Sequence, residues 1–402
     1  KFNDRFERLR LRTHSNHQSD FDKVIINGNT LLCKSPYKKD LRKEEEPKFK
    51  FQNTAVFFHE KLIELGGNSA GDLLNYIFNK VKIIRIDCQS VSFAIKLFQV
   101  LNDRGLDLSN SDLIKSFLIG RIQKIYQGDS ELRKQKEDQF MDDWKTCEGH
   151  ANHTGTSMND LFVMYEYYLL AQNPKKSLYD ELVERLKDED PNNVITKIKE
   201  FITNYKHELY DKEDKLMYSF RYLRWGMYWR SILLTALIEN YPSFEEVAKK
   251  LRRFYYLNWI AGYTLSRIKQ VSFNMIKWLK ENKPVDELDD ELEKHLQQNN
   301  TIQRAKDALE GDIFFEKWCK PLFLMIEYQQ SDDSNPSFLP LGNGIIHVEH
   351  ILPKAYIAKE EWSDFHEDND VEKWLHTGAN LTLLSGVKNI AASNEGFAKK
   401  MA

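Results

Sequence analysis

The stretch 345-IIHVEHILPKAY-356, answered further on by 378-GANLTLLSGVKNIAASNEGFAKK-400, decides how the C-terminal end of this chain folds. Ile345, Ile346 and Val348 form a β-branched, strand-like run that delivers Glu349 and His350 side by side at its end, and Pro353 then stops the regular structure. Asn380 to Leu384 reads as a second short strand, and Ser385-Gly386 as the turn into a closing helix that starts near Val387. The unit is strand, strand, helix. Consecutive strand residues point to opposite faces, so Glu349 and His350 can share a site only where the strand ends or bends. A strand end at 349–350 is therefore expected.

Such a corner suits phosphodiester hydrolysis assisted by one hard divalent cation. An imidazole with an ordinary pKa of about 6.5 can take a proton from water at neutral pH. A carboxylate and an amide oxygen are ligands that Mg²⁺ (or Mn²⁺) accepts while keeping several waters.

The pattern acid-His-Ile-x-Pro, followed by two asparagines across a strand-to-helix turn, resembles the HNH, or His-Me finger, nucleases with a ββα-metal core. The resemblance implies that Glu349 is a metal-binding acid, His350 the general base, Asn380 the residue that steadies the base-bearing loop, and Asn389 a second metal ligand. The longer string, EHILP with NLTLL and Phe397-x-x-Lys400, is similar to the C-terminal domain of GmrSD-type modification-dependent restriction enzymes. Gly378-Ala379 precedes Asn380 where that family carries Gly directly. Lys388 and Lys400 are candidate phosphate contacts. A Glu-His pair by itself is most often an ordinary surface pair; the matching spacing of Pro353, Asn380 and Asn389 argues otherwise. His347 reads as structural, since i and i+3 on a strand face opposite ways. His366 and His376 lie between the strands beside Trp362 and Trp374, which are expected to pack a small core, and neither histidine is assigned a role.

At 402 residues the chain is long enough for two or three domains, and 41% hydrophobic and 12% aromatic residues suffice for a packed core. The net charge of −3 means that any DNA-binding surface must be a local patch. Cys33, Cys88, Cys147 and Cys319 form no C-x-x-C pair, which argues for reduced thiols, a cytoplasmic location and no structural zinc. No apolar run approaches a membrane span.

Towards the N-terminus, a short strand is expected over 23–26. The basic run Lys38 to Lys43 meets Glu44 to Glu46 and reads as a solvated loop. A helical pattern over 52–80 breaks at Gly66-Gly67, and 81–86 alternates like a strand. In 92-SFAIKLFQVLNDRGLDLSNSDLIKSFLI-119, one helix ends at Gly105 and a second starts at a capping box formed by Ser109 and Asp112. This string resembles the later part of the ParB-like N-terminal domain that precedes the nuclease domain in GmrSD-type proteins. The resemblance implies nucleotide binding there, but the D-G-Q-Q-R hallmark does not occur, so an NTP is expected to act only in an intact protein. Asn102, Arg104 and Lys115 are candidates for a phosphate site or, equally, parts of a capped loop.

Residues 130 to 331 read as successive helices, among them 157–170, 217–237, 244–260 and 265–279, broken at Pro174, Pro191, Pro242 and Pro284. A further helix is expected over 313–327. Tyrosines and tryptophans here read as core. His150 and His153 read as a polar loop. Lys249, Lys250, Arg252 and Arg253 form the densest basic cluster, a candidate DNA-facing patch in which Lys249, Arg252 and Arg253 are the chosen contacts. The polar segment 329–344 reads as a hinge.

The expectation is a mainly α protein with a small α+β C-terminal unit: a remnant of a ParB-like domain over 1–128, a helical middle domain over 129–330, and an HNH domain over 331–402. Its function would be metal-dependent cleavage of DNA, modified DNA above all, in restriction or phage defence, with no membrane partner; homo-oligomerisation stays open. Two alternatives stand beside it: a non-catalytic helical binding module with a degenerate HNH unit, and a nucleotide-driven sensor of modified DNA whose active head lies outside this chain.

Overall fold

The computed structural model describes residues 18–19, 21–23, 47–82, 109–342, 344–367 and 370–386. The chain separates into two compact units, 1–87 and 88–402. In the first, helix α1 (Pro47–Lys80) is kinked at Gly66, whose φ of +74° only glycine adopts readily, as the Gly66-Gly67 break predicts. The strand expected over 81–86 and the helix expected before Gly105 lie outside the described residues, as does most of the strand expected over 23–26.

The second unit is a helical body whose starts are written locally in the sequence. In α2 (Asn110–Ile125) the Ser109 hydroxyl accepts from the Asp112 amide, while the Asp112 carboxylate accepts from the Ser109 amide, both at 3.2 Å. Asp129, Ser157, Ser177 and Asp190 cap α3 (Ser130–Thr154), α4 (Met158–Leu170), α5 (Leu178–Leu186) and α6 (Pro191–Asn204) through a side-chain oxygen that accepts from first-turn amides. Each such cap contributes about 1 kcal/mol by pairing an orphan helical amide. His150 and His153 fall in the last turns of α3 rather than in a loop, and the His153 ring meets Asp211 Oδ1 at 2.8 Å.

After a π-helical turn (Tyr205–Tyr210) come α7 (Lys215–Arg221), α8 (Gly226–Ile238), α9 (Phe244–Ile260), α10 (Leu265–Lys280), α11 (Val285–Gln298), α12 (Thr301–Glu310) and α13 (Cys319–Gln330). The helix α8 is central. It buries eight residues between Tyr228 and Ala236 and touches α4, α6, α9 and α10. Its Ser231 and Thr235 hydroxyls donate to the carbonyls of Met227 and Ser231, so these polar groups are satisfied in the core. The aromatic residues are core as expected: Trp144 stacks between Phe140 and Phe162 at ring separations of 5.9 and 5.7 Å.

Two helices expected as continuous are not. The pattern over 217–237 breaks between α7 and α8, where Trp225 takes a left-handed φ of 60° and the Arg221 guanidinium donates to the carbonyls of Tyr210 and Lys212. The helix expected over 313–327 starts only at Cys319; residues 313–318 form tight turns instead, with the Glu316 amide donating to the Ile313 carbonyl and the Cys319 amide to the Glu316 carbonyl, both at 3.0 Å, while the Ile313 and Phe314 amides donate to the His376 carbonyl.

The C-terminal part carries a two-stranded antiparallel sheet, β1 (Ile346–His350) with β2 (Leu381–Ser385), in which His350 faces Leu381 and Glu349 faces Thr382. The strand ends at His350, as expected. At the other end of the pair the Gly386 amide donates to the Ile345 carbonyl at 2.7 Å, and a Cβ on Gly386 would sit 2.7 Å from the Gly344 carbonyl oxygen, so no larger residue fits without a backbone shift. Val348 and Leu381 join the core of the helical body, whereas Ile346 and Leu383 pack on a smaller cluster of Tyr218, Tyr222, Leu324 and Tyr328.

The segment read as a hinge is tied down. Tyr222 donates to the Leu339 carbonyl (2.7 Å), Tyr328 donates to the Ser337 carbonyl (3.0 Å), and the Leu339 amide donates to the Tyr328 hydroxyl (2.8 Å). Phe338 stacks on Tyr222. Its polar composition suggested solvent exposure, but one aromatic side chain and three hydrogen bonds fix it to the body. Between the strands, Leu352, Tyr356, Trp362 and Val371 form the small core expected around the tryptophans.

Candidate active site

Sequence neighbours at the end of β1 part company in space. Strand alternation sends His350 to the face that meets the helical body and Glu349, with Thr382, to the other face. His350 is only 4% exposed; Glu349 is half-buried. The His350 ring lies 4.3 Å from the Phe314 ring, and its Nε2 is 2.9 Å from Nδ1 of His376. Phe315 packs on His376 at 5.3 Å, and the Lys354 ammonium sits over both phenylalanines at 4.4 and 5.0 Å.

Asn380 is fully buried and uses its amide to hold the residues that follow the imidazole. Its Oδ1 accepts from the Leu352 amide (2.8 Å), and its Nδ2 donates to the carbonyls of Leu352 (3.1 Å) and Leu375 (2.8 Å). The Asn380 carbonyl accepts from Ile351 (2.8 Å), so one residue ties both strands to the loop between them.

Asn389, Lys388 and Lys400 lie outside the described residues, and so do Asn102 and Arg104. Lys115 pairs with Glu148 at 3.7 Å and lies over the Trp144 ring at 5.1 Å, inside the helical body. The basic run on α9 does not make a one-signed patch. Lys249 pairs with Glu245, Lys250 with Asp289 and Arg253 with Glu293. Arg252 turns inward towards Ser219 and Gln329, and burial lowers its pKa. The spacing that gathered four cations also placed acidic partners in reach, one on the same helix and two on α11.

His347 Nε2 donates to the Gly344 carbonyl of its own turn at 2.9 Å, and His366 Nε2 closes a loop onto the Tyr356 and Lys359 carbonyls; both are structural. His376 is the residue that sequence reading passed over. It belongs to no motif, and its neighbour His350 is twenty-six positions away.

Among the described residues, no group of three or more His, Cys, Asp or Glu side chains converges on a common point that could hold a metal. Glu349 offers one hard oxygen donor. Cys147 and Cys319 are separate, buried thiols, and burial raises both pKa values, to about 12 and about 11.

The described residues form a mainly α body that carries one small strand pair. Models of the GmrSD restriction endonuclease N-terminal and C-terminal domains match residues 1–119 and 286–402. The chain belongs to the GmrSD restriction endonuclease family, and membership implies nuclease activity with DNA as substrate. No curated protein matches it. Among the described residues no helix is long and apolar enough to cross a membrane.

Proposed function

We propose that this protein is an HNH-type endonuclease that cleaves modified DNA with the help of one divalent cation. The observation that carries the reading is the Asn380 clamp. It fixes the residues directly after His350, so the imidazole is held on a rigid strand end rather than on a loose loop. His350 takes the proton from the attacking water as general base. Glu349, with Asn389, would hold a Mg²⁺ or Mn²⁺ ion, and that ion would offset the negative charge that grows on the phosphate oxygens. The domain division at 128 and 330 belongs to the same proposal, although α2 packs on α3 and α5 within the helical body.

The burial of His350 favours a second reading, in which the unit is a degenerate, non-catalytic module. Purified protein incubated with plasmid and with modified phage DNA in Mg²⁺, with and without NTP, separates the two. The expected result is nicking that EDTA abolishes, and a loss of about 100-fold or more in His350→Ala. A variant that nicks at the parental rate removes His350 from the chemistry, and a parent that never cleaves favours the module.

A further inference from the structure

We infer that His376 is a positioning residue for His350, selecting the tautomer in which His350 can act as a base; the inference rests on the nuclease reading. The two rings meet through His350 Nε2 and His376 Nδ1 at 2.9 Å. Between two neutral imidazoles one nitrogen donates and the other accepts. If His376 Nδ1 donated, His350 would carry its proton on Nδ1, and its one basic lone pair, on Nε2, would be engaged by His376 rather than by water. If His350 Nε2 donates, the lone pair stays on Nδ1. Only the second arrangement yields a base, and it requires His376 to present Nδ1 as an acceptor.

The fold holds His376 to that task. Its carbonyl accepts from the Ile313 and Phe314 amides, the Thr377 amide bonds to the Trp374 carbonyl at 3.0 Å, and Asn380 Nδ2 donates to the Leu375 carbonyl beside it. Backbone position is thus fixed on both sides. Phe314 and Phe315 confine the two rings from the helical body. The arrangement has the logic of a base oriented by a third group, here supplied by an imidazole rather than a carboxylate.

Two substitutions test the idea. Asn at 376 places its Oδ1 close to where Nδ1 now stands and can accept from His350; Leu at 376 fills similar space and cannot. His376→Leu is expected to lower kcat about 10- to 100-fold with KM nearly unchanged, and His376→Asn to restore most of that loss. Imidazole ¹⁵N spectra of histidine-labelled protein, with His350 assigned by difference against His350→Gln, read the tautomer without reference to cleavage. The Nε2-protonated form is expected in the parent and in His376→Asn, and a mixture in His376→Leu. An unchanged His350 tautomer in His376→Leu overturns the inference, as does a His376→Asn protein no better than His376→Leu. If the parent does not cleave DNA, the nuclease reading fails, and the spectra alone still decide whether His376 positions His350.

Discussion

Asn380 commits its whole amide to backbone atoms: one oxygen and one nitrogen to Leu352, and the second hydrogen to Leu375. The two bonds to Leu352 are buried and the one to Leu375 is partly so, and Asn380→Ala would leave an N–H and two carbonyls without these partners. A buried unpaired group costs about 1 to 3 kcal/mol, and partial relaxation of the loop sets the expected loss near 3 kcal/mol. Urea denaturation followed by far-ultraviolet circular dichroism measures it, and a loss under about 0.5 kcal/mol would remove the clamp from the account. Asn380 stood out in the sequence because the motif contains it. His376 did not, since nothing local marks a histidine whose partner arrives from another strand. The burial of His350 was equally hidden, because strand alternation says that two neighbours face opposite ways without saying which face meets the body.

Helix starts in this chain could be read one residue at a time because caps are local chemistry: Ser109, Ser157 and Asp190 each bond within three positions. The interruptions could not. The run 313–318 has helical periodicity and a helical neighbour, yet it folds into tight turns closed by Glu316 onto Ile313 and Cys319 onto Glu316, docked against the His376 carbonyl, a contact made only after the chain has folded back. That turn carries Phe314 onto His350, so it shields the imidazole from solvent in this conformation. Removing the ring without disturbing a core residue should open the site. In Phe314→Ala, carbethoxylation of His350, followed by mass spectrometry, is expected to run several-fold faster than in the parent, while the far-ultraviolet spectrum stays the same. Equal modification rates would show that Phe314 is not what covers the ring.

At the scale of the whole molecule, the net charge is −3, and the cations of α9 are drawn into pairs with Glu245, Asp289 and Glu293, so that helix adds little long-range attraction for DNA. The charges buried in the body act instead on stability. Burial, reinforced by Glu181, raises the Glu166 carboxyl to about 7 from 4.5, and its Oε1 has no hydrogen-bond partner. Burial also lowers the pKa of His295. The two groups act in opposite directions. Between about pH 4.5 and 7 the folded chain holds a proton at Glu166 that the unfolded chain has lost, so stability falls as pH rises through that range and levels off above it. For His295 the unfolded chain takes up a proton first as pH drops below 6.5, so stability falls in the acid direction. Glu166→Gln removes the first slope and leaves the second. At pH 8 it should be more stable than the parent by up to about 3 kcal/mol, the linkage equivalent of that shift, and near pH 4.5 the two should converge. Urea midpoints at pH 4.5, 6 and 8 give the comparison. A constant offset between the two proteins across that range would mean that Glu166 is charged in the folded state throughout, and that a partner compensates its burial.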